Sequence, residues 1–263
     1  MLCLWIHYNV DRNETSYTQA IEQYCDSIYD ETLDQDNLDL LGKNNRGCNS
    51  ILVFIHESPS EVVAFDKIQS AFSDHEPSLE KQSKSVQLIH AHYDSIKGNL
   101  DPSLISKLIY RPPSLNLYRM LTSTLTHADW WHVIGNMIFF LAFALLLEVL
   151  IDNKMKYTGV ILLLTFVTCL ADSILAIITG LNHPTLGFSG VVTGIIGLSA
   201  YLMPNARIRT LVWPVITYAK VINIPVWILA AWFIGWDSYY LFFTEGQEGI
   251  DVLAHVTGGY AGY

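Results

Sequence analysis

Ser189, His255, His132 and Asn136 are the residues whose types and spacing fit acyl-transfer chemistry. Ser189 stands in Gly187-Phe188-Ser189-Gly190 at the head of one apolar run, His255 near the head of another, and His132 and Asn136 open a third. A serine hydroxyl is a poor nucleophile until a base takes its proton, and His255 is the candidate base. His132 and Asn136 are four residues apart, on one helical face. Both can donate hydrogen bonds to a developing oxyanion, with the backbone N–H of Ser189 as a further donor near a helix N-terminus. Taken alone, Ser189 reads as a packing serine in a Gly-rich helix, and His132 as an interfacial histidine beside the Trp130–Trp131 belt. His255 resists such a reading, because an ionisable group in an apolar helix is costly and usually functional. His127 and His132 would begin a metal site, but no Cys, Asp or Glu completes one at suitable spacing. Neither metal nor cofactor is expected.

These residues can meet only if their helices lie side by side. A bilayer core of about 30 Å takes roughly 20 apolar residues as helix. Residues 133–151, 157–181, 186–203 and 225–243 fit, and a last segment of 14 residues begins at Ile250. Asp152–Lys156 and the stretch with Arg207, Arg209 and Lys220 carry the basic charge, so they should be cytoplasmic. The turn at 182–185 is uncharged and Glu245, Glu248 and Asp251 are acidic, so both loops should lie outside. The segments starting at 133, 186 and 250 then run inward from one leaflet. That sets His132, Asn136, Ser189 and His255 at similar depth. Gly190-x-x-x-Gly194 beside the serine and Gly258-x-x-x-Gly262 beside the histidine let two backbones approach closely.

The whole chain fits this division. Its 263 residues are 51% hydrophobic, with a net charge of −10 and a mean hydropathy of +0.29. Residues 1–110 hold 17 of the 25 acids and 8 of the 15 bases. We therefore expect an acidic polar region followed by a membrane region. No basic face is available for nucleic acid. Residues 1–10 read as the remnant of a first transmembrane helix. Residues 11–110 read as an extracytoplasmic loop insert containing a small ordered unit, with a helix near Ser85–Ile96. Residues 111–263 read as the membrane core. The four cysteines lack metal spacing; Cys25 and Cys48 either pair in an oxidising compartment or remain thiols. Asp172 reads as serving a polar cavity or a structural hydrogen bond, and Asp237 as reaching the membrane interface.

The combined motifs resemble the rhomboid family of intramembrane serine proteases. His127, His132 and Asn136 match its His-x4-His-x3-Asn pattern. Gly187, Ser189 and Gly190 match Gly-x-Ser-Gly, and Ala254, His255, Gly258 and Gly262 match Ala-His-x-x-Gly-x-x-x-Gly. The resemblance spans about Tyr110 to Tyr263 and implies an all-α polytopic bundle with a six-helix core, its first and last helices truncated in this chain. It implies a Ser189–His255 dyad without an aspartate, and an oxyanion hole formed by His132 and Asn136. Arg119 would brace a loop half-inserted in the outer leaflet, His127 would hold that loop, Glu148 would make structural contacts, and Trp232–Phe243 would form a lateral gate.

The expected substrates are single-span membrane proteins in the lipid bilayer. The expected location is the bacterial inner membrane, with the active site on the extracytoplasmic side. One departure stands out: Thr193 occupies the place where many bacterial members carry a tyrosine that stacks on the base. Orientation of His255 must then come from elsewhere, such as a hydroxyl contact. The alternative function is a non-proteolytic rhomboid-like protein that binds membrane helices without cutting them.

Overall fold

The computed structural model describes residues 1–30, 45–58, 60–75, 79–179, 184–212, 220–243 and 252–263. They divide into one unit of Tyr8–Lys107 and another of Met1–His7 with Leu108–Tyr263. Glu245, Glu248 and Asp251, and residues 182–183 of the uncharged turn, all used above to assign the outside loops, lie outside the described residues.

The Tyr8–Lys107 unit is helical. Helix α1 (Leu2–Asp30) enters it and is followed by α2 (Asn45–Glu57), α3 (Glu61–His75) and α4 (Leu79–Ile96). The Ile51–Ile55 run lies within α2, where Leu52 and Ile55 turn into a core with Tyr17, Ile21, Ile89 and Tyr93. Cys25 and Cys48, both buried, form a disulfide that joins α1 to α2 across 23 residues of sequence. A loop of that size stabilises by about 3 kcal/mol in the chain-entropy account. Tyr17 donates a 2.6 Å hydrogen bond to Glu57 from within this core.

The same packing gives this unit a pH dependence. Burial, then the charges of Glu57 and Asp11, push the Glu14 carboxyl up from 4.5 to about 7. The folded unit therefore holds this proton more tightly than the unfolded chain does. Its contribution to stability is full below pH 4.5 and is lost as pH rises through 7. Amide protection in α1 and α2 of the full-length protein, taken relative to the intrinsic exchange rate at each pH, should be weaker at pH 8 than at pH 5.5, and Glu14→Gln should reduce the difference. Equal pH sensitivity in wild type and variant would rule Glu14 out as its source.

Among the described residues, the other unit carries three helices long and apolar enough to cross a membrane: α7 (Trp130–Leu150), α8 (Lys154–Thr179) and α10 (Val226–Phe243). Before them come α5 (Leu104–Leu108), which straddles the unit boundary, and α6 (Leu117–Leu125). Shorter α9 (Ser189–Leu202) and α11 (Val252–Gly262) complete the set. The apolar core gathers around α9, whose Val191, Val192, Ile195 and Ile196 pack with Phe143, Leu147 and Leu164. Side chains close the helix starts. Asp129 accepts from His132 N–H at 2.9 Å, and Asn153 accepts from Met155 and Lys156 N–H.

The basic stretch after α9 is a two-stranded antiparallel ribbon and not a simple turn. Strand β1 (Arg207–Val212) pairs with β2 (Lys220–Pro225), from Arg207 opposite Pro225 to Val212 opposite Lys220. β-branched residues such as Ile208, Val221 and Ile222 suit it. The ribbon feeds α10 directly, and the first N–H groups of that helix are taken by loop carbonyls: Val226 donates to Ala206 and Trp227 to Pro204.

Candidate active site

Ser189 is the first residue of α9, so its N–H and those after it have no carbonyl a turn earlier in the helix. The chain reaches it through Gly187, whose φ of +114° is open to glycine. A side chain there is excluded twice over. A Cβ on Gly187 would stand 2.8 Å from the His132 ring and 3.8 Å from Ser189 Oγ. The missing side chain is thus the space that the imidazole and the hydroxyl share. Gly187 N–H donates to Ser123 O at 2.9 Å, which ties the serine turn to α6.

His132 is held at the first turn of α7 by the Asp129 cap. Asn136 follows one turn deeper and is buried, and its Nδ2 makes no hydrogen bond among the described residues. A buried amide donor without a protein partner is rare and is free to serve a bound group. His132 and His255 are close enough to interact electrostatically.

His255 comes to this place by contact between helix backbones. A Cβ on Gly190 would meet the Ala254 carbonyl at 3.0 Å. One on Gly258 would overlap the carbonyl of Gly190, and one on Gly262 that of Gly194. The glycines of both motifs therefore form one seam, as small residues do where membrane helices pack closely. Ser189 and Ala254 line a common small pocket, whose walls include the hydroxyl-bearing residues Ser123, Thr124, Thr168 and Thr185.

Thr193 is buried on this seam. Its hydroxyl donates to the carbonyls of Ser189 and Gly190 in its own helix, 3.1 and 3.0 Å away, and packs against Gly258. It offers no hydroxyl contact to His255. A carboxylate takes that position instead: His255 Nδ1 lies 3.0 Å from Asp237 Oδ2 on α10. Asp237, expected at the membrane interface, turns inward.

The surrounding residues are placed as follows. His127 is fully buried, edge-on to His132 with ring centroids 5.1 Å apart. Burial first, and then His132, push its pKa down to about 4, so the ring is neutral at physiological pH. His7, unremarkable in the sequence, is also buried and meets Trp130 edge-on at 4.6 Å. Arg119 lies in the first turn of α6, capped by Asn116. Glu148 is exposed near the end of α7 and makes no hydrogen bond among the described residues. Asp172 is buried and accepts from Thr185 Oγ1 at 3.2 Å, in the loop before Ser189.

Among known proteins, the family model described as the Rhomboid domain matches residues 114–263. No curated protein and no solved structure matches the chain.

Proposed function

The chain belongs to the rhomboid family, and we propose that it is an intramembrane serine endopeptidase cleaving single-span membrane proteins through Ser189 and His255. The rhomboid family, together with the three apolar spans, makes it an integral membrane protein. The observation that carries the proposal is the convergence at the head of α9. Ser189 follows the Gly187 turn, His132 closes on that turn, and the glycine seam draws α11 against the same helix.

His255 takes the Ser189 Oγ proton as the oxygen attacks the scissile carbonyl. The oxyanion that forms accepts from the Ser189 backbone N–H, from Asn136 Nδ2, which has no partner among the described residues, and from His132. The C–N bond then breaks, and His255 returns its proton to the leaving amine. Water follows the same route to release the acyl group from Ser189. The hydroxyl-lined pocket beside the serine suits passage of that water below the membrane surface. A substrate helix must unwind locally to offer its carbonyl, because in lipid its backbone groups are otherwise paired. The basic Asp152–Lys156 and Arg207–Lys220 connections support a cytoplasmic side opposite the active site, which then faces outward.

The test uses detergent-purified protein, a labelled single-span substrate and a fluorophosphonate probe. Cleavage of the substrate and a covalent probe adduct on Ser189 are expected. A folded sample that binds the substrate but neither cuts it nor takes the probe would make the protein a membrane-helix binder.

A further inference from the structure

From the contact between α10 and α11, we propose that Asp237 is the positioning residue of the base, so that the machinery is a Ser189–His255–Asp237 relay. This rests on the protease reading above and adds a member to it. The observation is the 3.0 Å approach of Asp237 Oδ2 to His255 Nδ1. The two side chains are only 22% and 18% exposed, so water competes weakly for either partner.

The chemistry follows from the donors and acceptors. An ionised carboxylate can only accept, so the Nδ1 atom carries the ring proton. The Nε2 lone pair is then left for the Ser189 hydroxyl, the tautomer a general base needs. When Nε2 takes the serine proton the ring becomes imidazolium, and the adjacent carboxylate stabilises that charge while remaining ionised. No proton moves to Asp237, and the Oγ–carbonyl bond forms as before.

Two features of the chain make this role necessary. Thr193 cannot stack on the imidazole as an aromatic ring would, and its hydroxyl is already spent on the carbonyls of Ser189 and Gly190. No other hydrogen bond to His255 is formed among the described residues. The position of Asp237 also differs from that of its neighbours on α10. Trp232, Trp236, Tyr239 and Phe243 form an exposed aromatic stripe, whereas Asp237 leaves it and reaches inward. An apolar helix gains nothing from an inward carboxylate unless a partner receives it.

The decisive experiment compares wild type, Asp237→Asn, Asp237→Ala and Asp237→Glu in the full-length protein. Asparagine keeps size and hydrogen bonding but loses the charge and no longer selects the Nδ1–H tautomer. Asp237→Asn should lower kcat by about 10²-fold or more, the lower end of what a positioned acid–base group supplies. KM and the thermal unfolding midpoint should stay unchanged. Asp237→Glu should recover part of the rate, and Asp237→Ala none of it. Nitrogen-15 NMR of His255 should report an Nδ1–H imidazole in wild type and an altered tautomer balance in Asp237→Asn.

The two readings fail separately. Cleavage that keeps its wild-type rate in Ser189→Ala removes the protease reading. Cleavage that is lost in Ser189→Ala but keeps its kcat in Asp237→Asn overturns the role of Asp237 alone. If wild type shows no cleavage, the NMR still decides: an Nε2–H imidazole, or spectra identical in wild type and Asp237→Asn, would overturn it.

Discussion

Replacing Ser189 by alanine is expected to lower the rate of cleavage by roughly 10⁶-fold, the loss that follows removal of a serine nucleophile or its base. His255→Ala should fall in the same range, and the double variant should be no worse than either single one. The reason is that the two side chains perform one step. Without the hydroxyl there is nothing to deprotonate, and without the imidazole the hydroxyl stays protonated at its ordinary pKa. A residual rate above background should survive in all three variants. Asn136, with its unpaired Nδ2, and the free N–H groups at the start of α9 still bind a developing oxyanion. Single-turnover rates with a labelled substrate would measure this directly. Additive losses in the double variant would mean that Ser189 and His255 act in separate steps, which the relay does not permit.

The second large effect concerns packing. Gly258→Val should separate α9 from α11 and remove both stability and activity. A side chain at Gly258 points at the carbonyl of Gly190, and one at Gly262 at that of Gly194. The obstacle in each case is backbone, which cannot adopt another rotamer, so the helices themselves must part. Overpacking of an interior usually costs about 1–3 kcal/mol, and a backbone overlap lies at or beyond the upper end of that range. Gly135→Ala and Gly159→Ala make useful controls, because nothing lies within 4 Å of the added methyl group at either site. In those helices alanine should be neutral or stabilising by up to about 1 kcal/mol. Unfolding in detergent, followed for the three variants together, would show whether the seam or general glycine content governs stability. A Gly258→Val variant as stable as Gly135→Ala would contradict the seam.

The apolar helices were legible in the sequence because membrane length and composition constrain them directly. Residues 133–151 and 225–243 differ by only a few positions from Trp130–Leu150 and Val226–Phe243. The Gly-x-x-x-Gly pairs also translated into contact, since a pair of small residues has few other uses beside a polar group in lipid. What escaped was set by partners far along the chain. Residues Arg207–Val212 become a strand only because Lys220–Pro225 lie beside them, and neither run announces the other. The Ile51–Ile55 run is too short for its periodicity to distinguish strand from helix; the core built by Tyr17, Ile21 and Ile89 decides it.

The candidate site divides in the same way. Ser189, His132, Asn136 and His255 stand out as polar residues in apolar surroundings, and Gly187 by its neighbours. Asp237 reads as a residue at the end of a span because its partner lies 18 positions away on another helix. A signal was present even so: an acid within Trp236-Asp237-Ser238 sits between aromatic residues that need no charge. Thr193 stands out in the sequence for what it lacks, whereas its bonds, back onto Ser189 and Gly190, depend on the helix being in place.

Helix α9 has 14 residues, ten of them buried. At 1.5 Å per residue it rises about 21 Å, short of a hydrocarbon layer of about 30 Å. It therefore meets protein where its neighbours meet lipid, while the exposed aromatic stripe of α10 faces outward. Hydrophobic mismatch acts on the helices that touch acyl chains, through tilt and local thinning. Moving the protein from thin to thick bilayers should accordingly change how fast a single-span substrate is cut, by way of α10. The rate at which a small fluorophosphonate modifies Ser189 should stay constant, and a parallel change in both rates would show that the nucleophile's helix also feels the bilayer thickness.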